Sequence, residues 1–144
     1  MIRRFLLAGL VVLLCADAPS TEVQVPGFVI VVNKANPVKM LPLVEVRRIF
    51  MKQSRMWPHA EPMVPVDWES TSEIRQMFSK QVLNRSVREM AEYWVQQSMT
   101  QGIAPPSTQR SARAILRFVA GVPGAISYVP PGDVDDTVNV VAIK

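Results

Sequence analysis

The sequence predicts an α/β fold, a three-layer sandwich in which a mixed sheet is flanked by helices. Apolar runs of strand length alternate with segments whose apolar residues recur at helical spacing, in the order β-α-β-α-α-α-β-β. The chain has 144 residues and 49% apolar content, which suits one domain large enough to bury a core. No internal repeat or low-complexity segment interrupts this order.

The first half of the domain predicts two strands with one helix between them. Residues 28–32 (FVIVV) form an unalternating apolar run, typical of a strand buried on both faces as in a parallel sheet. Pro42 suits the first turn of a helix whose apolar face comprises Leu43, Val46, Ile49 and Phe50. Residues 63–66 predict a short strand, in which Pro65 favours a sheet edge or a strand end.

The second half predicts three helices followed by two strands. The first helix follows residue 72 and has one apolar stripe, formed by Ile74, Met77, Phe78 and Val82. The remaining elements are helices at residues 87–101 and 108–120 and strands at residues 125–129 and 138–143.

The N-terminal segment predicts export. Arg3 and Arg4 precede the apolar run 5–14, which has signal-peptide length and is too short to span a bilayer. We therefore predict a signal peptide at 1–18, an N-terminal lead at 19–27, a domain at 28–144 and a periplasmic or secreted location. A lipoprotein anchored through Cys15 is the less favoured alternative, because Leu14 stands where such signals need a small residue.

Charge and cysteine usage exclude several classes of function. The net charge is +4, and removal of a signal containing Arg3, Arg4 and Asp17 leaves +3, spread over several segments without a Lys/Arg block. This distribution excludes a nucleic-acid partner. Cys15 is the only cysteine, so its loss with the signal removes disulfides, thiol chemistry and cysteine metal sites.

No constellation of residues predicts catalysis, a cofactor or a metal. His59 is the only histidine and lies in a proline-flanked loop, where a solvent-facing position is expected rather than a triad. Asp133, Asp135 and Asp136 lack the regular spacing of a calcium loop and predict a solvated turn. We predict that the protein is not an enzyme.

Two regions could serve as docking surfaces for another protein. Arg110, Arg113 and Arg117 recur at helical spacing and predict one basic, exposed helix face. Trp57 and Trp68 lie in or beside loops, where they could line a cleft, although burial as anchors is favoured.

The junction between the second strand and the second helix carries the main site hypothesis. Residues 64–78 read VPVDWESTSEIRQMF, so three hydroxyl residues precede the helix, where unpaired N–H groups can hold an anion. The same residues can simply cap the helix, since Ser70 and Glu73 fit a Ser-x-x-Glu capping box. Local pattern alone favours capping.

Several segments, in order along the chain, are similar to a known family. They are VVN at 31–33, LVEVRRIFMK at 43–52, Trp57, RQMF at 75–78, YW at 93–94 and PGAISYV at 123–129. From about residue 28 onward the chain resembles the phosphate-binding periplasmic proteins of ABC transporters, specifically one lobe of a type II periplasmic binding protein. The segment at 123–129 is close to the family's PGAIGYV, with Ser127 in place of glycine.

The resemblance implies an anion cradle that has lost its main donors. In the family the junction typically reads Ser-Gly-Thr-Arg-x-x-Phe, and Arg75 and Phe78 align with its Arg and Phe. That alignment places Ser72 on the serine, Glu73 on the glycine and Ile74 on the threonine. Glu73 would then place a carboxylate where the family's backbone approaches the anion, and Ile74 would place an alkyl group where the family has a hydroxyl. We therefore expect weak anion binding.

The sequence therefore predicts an exported, non-catalytic binding protein with a degenerate anion cradle. Its ligand would be phosphate or another small oxyanion, held weakly by Ser70, Thr71, Ser72 and Arg75. The alternative is a protein–protein interaction module that binds a periplasmic or membrane protein and no small molecule. The chain is too short for the two lobes that full binding proteins of the family close over a ligand.

Overall fold

The computed structural model describes residues 27–144, so the predictions for the signal peptide, Cys15 and most of the N-terminal lead lie outside the described residues. The strands are β1 (Val29–Asn33), β2 (Met40–Leu41), β3 (Val64–Trp68), β4 (Ser107–Gln109), β5 (Ala125–Val129) and β6 (Val138–Ile143). The helices are α1 (Leu43–Phe50), α2 (Glu73–Phe78), α3 (Val87–Gln101) and α4 (Ala112–Gly121). Within residues 27–144, no helix is long and apolar enough to cross a membrane.

The strands form one mixed sheet in the order β2-β6-β1-β5-β3-β4. β3 is parallel to β4 and β5, and β2 is parallel to β6, whereas β1 is antiparallel to both of its neighbours. The predicted α/β class with a mixed sheet is confirmed. β1 is buried on both faces as predicted, but its neighbours are antiparallel; the burial comes from helices on both faces of the sheet.

An aromatic cluster joins the sheet to the helices on one face. Tyr128 of β5 stacks on Phe78 of α2, with ring centroids 3.8 Å apart and planes 4° from parallel. Phe50 of α1 meets Phe78 edge-on at 4.7 Å, and Phe28 meets it edge-on at 5.3 Å. Each such pair contributes about 0.5–1.5 kcal/mol beyond the burial of its area. This cluster fixes α1 and α2 over the middle of the sheet.

The opposite face of the sheet carries α4. The side-chain amide of Asn33 donates to the main-chain oxygens of Val119 and Ala120, which ties the end of β1 to the end of α4. Because Asn33 and Tyr128 belong to opposite faces of the sheet, the described domain has three layers.

The start of α2 differs from its prediction. Ser72 is the N-cap residue and makes no side-chain cap bond, so the predicted capping box of Ser70 with Glu73 is wrong. A turn at residues 70–71 places Ser70 outside the helix. A capping box is present at α3, where Ser86 Oγ accepts from the N–H of Glu89 and Glu89 Oε2 accepts from the N–H of Ser86.

The helix after Phe78 continues as a π-helical turn, Ser79–Leu83. This turn ends at Leu83, so the oxygen of Val82 is one of the last carbonyl groups of the helix, which have no partner within it. Arg47 Nε of α1 donates a hydrogen bond to this oxygen at 2.7 Å and so satisfies it.

The last predicted helix begins four residues later than expected. Residues 107–109 pair with β3 as the edge strand β4, and Ser111 caps α4 by accepting from the N–H of Ala114. Arg110 is therefore outside the helix, and the prediction that it shares a helix face with Arg113 and Arg117 is wrong. Local helical spacing could not report the free edge of β3, which is a tertiary feature.

Gly124, just before β5, provides a test of the packing around the loop that precedes β3. An added Cβ would lie 1.7 Å from the main-chain oxygen of Pro62, and the Gly124 oxygen itself accepts from Trp57 Nε1 at 3.0 Å. We expect Gly124→Ala to lower the free energy of unfolding by about 1–3 kcal/mol, because backbone must move. Chemical denaturation of the wild type and the variant measures this change in the free energy of unfolding.

The matched control is Gly132→Ala, where nothing lies within 4 Å of an added Cβ. Its change in unfolding free energy should stay within about 0.5 kcal/mol. Equal stability of the two variants would contradict the packing seen at Gly124.

Candidate functional site

The three hydroxyl residues of the site hypothesis lie at the carboxyl end of β3, directly before α2. Ser70 and Thr71 are exposed, and Ser72 is half-buried. The hydroxyl of Ser72 donates to the main-chain oxygen of Glu69 at 2.7 Å, so its proton is already engaged within the loop. The hydroxyls of Ser70 and Thr71 are the ones that face solvent at this junction.

Arg75 points into the protein. The residue is only 7% exposed, and its Nε lies 3.1 Å from Asp67 Oδ2 in a buried ion pair. A second guanidinium nitrogen donates to the hydroxyl of Ser79. The structure thus brings Arg75 to the same helix as the hydroxyls but turns its charge toward the end of β3 rather than toward solvent.

Asp67 is the centre of a buried polar network. Tyr128 donates its hydroxyl proton to Asp67 Oδ1 at 2.5 Å, and the N–H of Trp68 donates to the same oxygen at 2.8 Å. Burial raises the pKa of Asp67, while the charge of Arg75 and the two donors oppose that rise. Every contact of the carboxylate is internal, so the network joins β3, α2 and β5.

Tyr128 is held as a neutral donor in this network. Burial raises the pKa of its phenol, and the adjacent Asp67 carboxylate raises it further. The main-chain oxygen of Tyr128 accepts from Trp68 Nε1 at 2.7 Å, which adds a second link between β3 and β5. The sequence pattern did not single out Asp67 or Tyr128, because their pairing joins residues 61 positions apart.

Acidic side chains lie at the rim of the junction. Glu69 Oε1 lies 2.6 Å from Arg110 Nε, an exposed ion pair that connects the loops after β3 and β4. Glu73, at the first position of α2, is also exposed. The local charge around the three hydroxyls is therefore mixed rather than basic.

The tryptophan docking surface proposed from the sequence is wrong. Trp57 and Trp68 are both buried, and each indole N–H donates to a main-chain oxygen of the core. Both act as anchors, which is the reading that the sequence favoured. Exposed His59 stacks over the Trp57 ring at 6.3 Å.

The described residues contain no grouping suited to a metal ion. Between Gly27 and Lys144, no three His, Cys, Asp or Glu side chains come together as potential ligands. Of the acidic turn residues, Asp135 accepts from the main-chain N–H of Thr137 at 2.9 Å, which accounts for its position.

Comparison with known proteins finds solved structures with a similar fold. No protein-family model matches the chain, and no curated protein sequence matches it. Among solved structures it is similar to an ABC-type phosphate transport receptor from Vibrio cholerae, with 22% identity and a TM-score of 0.65, over 81% of this chain and 46% of that one. It is also similar to a Clostridium perfringens protein described as a phosphate ABC transporter substrate-binding protein, whose structure contains bound phosphate. The identity is 28% and the TM-score is 0.64, over 81% of this chain and 44% of that one.

A third similar structure, PstS from Borrelia burgdorferi, shares the fold at 11% identity, with a TM-score of 0.65 over 82% of this chain and 47% of that one. The expected resemblance to phosphate ABC transporter substrate-binding proteins is confirmed at the level of the fold. The chain spans less than half the length of these proteins, consistent with a single lobe.

Removing the buried arginine tests its structural role. Arg75→Met leaves the Asp67 carboxylate buried without its partner, and we expect the free energy of unfolding to fall by about 3–5 kcal/mol. Most of this loss should already be present without phosphate, because the ion pair is part of the core. The control Arg48→Met removes an exposed pair with Glu45 at 3.8 Å and should cost less than about 1 kcal/mol. A loss seen only in the presence of phosphate would contradict a structural role.

The phenol of Tyr128 makes the stability of the protein depend on pH in the alkaline range. The unfolded phenol ionises near pH 10, whereas the folded one stays protonated. The contribution of Tyr128 to stability is therefore constant below about pH 10 and falls above it by up to about 1.4 kcal/mol per pH unit. Tyr128→Phe should lower stability at neutral pH by about 1–3 kcal/mol and reduce that slope. Denaturant unfolding at several pH values measures the stability and the slope, and Tyr93→Phe is the control. An unchanged slope in Tyr128→Phe would contradict the role given to the Tyr128 phenol.

Proposed function

We propose that the chain is an exported, non-catalytic binding protein that holds phosphate or another small oxyanion weakly at the start of α2. The observation that carries the proposal is the fold, shared with a structure that contains bound phosphate. Supporting it, Ser70, Thr71 and Ser72 follow the carboxyl end of β3 and precede a helix, a position where N–H groups and hydroxyls can face an anion.

The proposed site is weak because its strongest donors are already used. Arg75 is neutralised by Asp67, and the Ser72 hydroxyl donates to the main chain. Glu73 places a carboxylate at the helix start, and its repulsion of an anion at short range is of order 1 kcal/mol in a wet site. With the remaining groups open to water, we expect dissociation constants of about 1 mM, corresponding to about 4 kcal/mol of binding.

Arg75 has a positioning role in this proposal. Its ion pair connects the end of β3 to the first turn of α2, on either side of the three hydroxyl residues. The pair therefore fixes the loop conformation that presents Ser70 and Thr71. The guanidinium would influence an anion through the position of the loop and not through direct contact.

A protein–protein interaction function is the second candidate, in which the chain binds a periplasmic or membrane protein and no small molecule. Burial of Trp57 and Trp68 removes one of its two predicted surfaces. The other survives in reduced form, since Arg113 and Arg117 are exposed on α4 while Arg110 pairs with Glu69.

The anion proposal is tested by calorimetric titration of phosphate and sulfate at low ionic strength. We expect saturable binding near 1 mM, weakened by Ser72→Ala and strengthened about 5-fold or more by Glu73→Gln combined with Ile74→Thr, since a repulsive charge is removed and a hydroxyl is added. Flat titrations for the wild type and the double variant would end the proposal.

The chain offers matched controls for both changes. The hydroxyl of Ser72 donates to the main-chain oxygen of Glu69, and the hydroxyl of Ser98 donates to the main-chain oxygen of Ile103. Because Ser98 lies on α3, Ser98→Ala should leave anion binding unchanged. Glu92→Gln alters the net charge by the same amount as Glu73→Gln but lies on α3, in an exposed pair with Arg88. An equal gain in affinity from Glu92→Gln would show a general charge effect and would contradict a site at α2.

A further inference from the structure

A groove of about 660 Å³ lies beside α4, and we refer to it as the α4 groove. One wall is the exposed side of α4, with Arg113 and Arg117. The facing wall is the loop between β5 and β6, with Asp133 and Asp135. Leu116, an apolar residue of α4, also lines the groove. The groove is therefore lined by positive side chains from α4, negative side chains from the β5–β6 loop, and apolar surface.

The charges of the two walls are not paired with each other. Ion pairs among residues 27–144 join Arg48 to Glu45, Arg75 to Asp67, Arg88 to Glu92 and Arg110 to Glu69. Arg113 and Arg117 lie one turn apart on the same helix face, where two like charges repel. The hydrogen bonds that Asp135 accepts from Thr137 lower the pKa of its carboxyl, so it stays ionised. Both walls thus present unneutralised charge of opposite sign.

The sheet face under α4 is incompletely covered. α4 packs mainly on β5 and β1 and less on β6, where Val140 is 46% exposed, and Met40 of β2 is 37% exposed. The strand register places Val140 beside Val31, on the same face as Asn33, which contacts α4. The face that carries the α4 groove therefore also carries exposed apolar side chains.

We propose that this face binds a second copy of the chain in a two-fold symmetric dimer. In such a dimer the same patch meets itself, so each residue contact occurs twice with the partners exchanged. The positive wall of one copy, Arg113 and Arg117, lies against the negative wall of the other, Asp133 and Asp135, and the reverse contact follows by symmetry. The exposed Val140 is covered at the same interface.

The charge pattern selects this partner over others. The carboxylates of Asp133 and Asp135 would repel an anionic lipid or an acidic peptide. The two arginines opposite them would repel a cation. A patch with separated charges of both signs is complementary to itself. Exposed charge pairs set the orientation of an interface and its salt dependence more than its affinity, so the apolar residues are expected to supply much of the binding energy.

In this dimer the partner for the interaction function is a second copy of the chain, and the dimer is independent of anion binding at α2. Sedimentation velocity and light scattering of the purified protein, over a concentration range and without phosphate, measure it separately from the titrations. We expect a reversible dimer that weakens at least 10-fold between about 50 mM and about 500 mM NaCl, because its charge pairs are screened. A monomer at every concentration, or a dimer indifferent to salt, would overturn the proposal.

A charge-exchange experiment identifies the surface. Arg113→Asp combined with Arg117→Asp makes both walls acidic, and Asp133→Arg combined with Asp135→Arg makes both walls basic. Each variant alone should be monomeric because like walls meet. An equimolar mixture should form a one-to-one heterodimer, which also shows that both variants are folded.

The matched control is Arg48→Asp combined with Lys80→Asp, which changes the net charge as much as the acidic variant does. Arg48 lies on α1 and Lys80 on the π-helical turn, away from the α4 face of the sheet, so this control should dimerise like the wild type. If the control dissociates as the acidic variant does, or if the mixture of folded variants stays monomeric, the α4 face is not the interface.

Discussion

The buried ion pair between Asp67 and Arg75 is the interaction on which the rest of the domain depends. It connects the end of β3 to the first turn of α2, and the Tyr128 hydroxyl extends it to β5. Burying two charges costs free energy, and their attraction offsets this cost only when the geometry is good and the remaining polar atoms are bonded. Here Tyr128, Trp68 and Ser79 make those bonds, so the three elements must meet in one arrangement.

The same ion pair is the reason to expect weak binding at the proposed anion site. An arginine near a helix start is the obvious partner for an oxyanion, but a guanidinium already paired inside the core has little charge left to offer. The loop between β3 and α2 keeps its hydroxyls and its position in a fold shared with phosphate-binding proteins. Its polar groups serve first to organise the loop, as the bond from Ser72 to Glu69 shows.

The two faces of the sheet differ in how completely they are covered. On one face Phe50, Phe78 and Tyr128 form a continuous aromatic cluster with α1 and α2. On the other, α4 packs on β5, β1 and β6, Val140 is left exposed, and a groove with charged walls lies beside α4. This asymmetry is the reason to assign the second face to association, because a partner can bury what the domain itself does not.

The sequence by itself determined the α/β class, the mixed sheet and the apolar stripes of α1 and α2, because hydrophobic periodicity reports which side of an element is buried. It also located the junction at residues 70–75 and the helix at 87–101, where Gly102 ends the helix in the left-handed region. Only the tertiary structure decided that Arg75 turns inward, because Asp67 and Tyr128 reach it from β3 and β5. It likewise decided that residues 107–109 form a strand, since a free sheet edge outweighs the local preference for helix. Interactions between residues distant in the chain leave no local pattern, and they determine what the candidate site can bind.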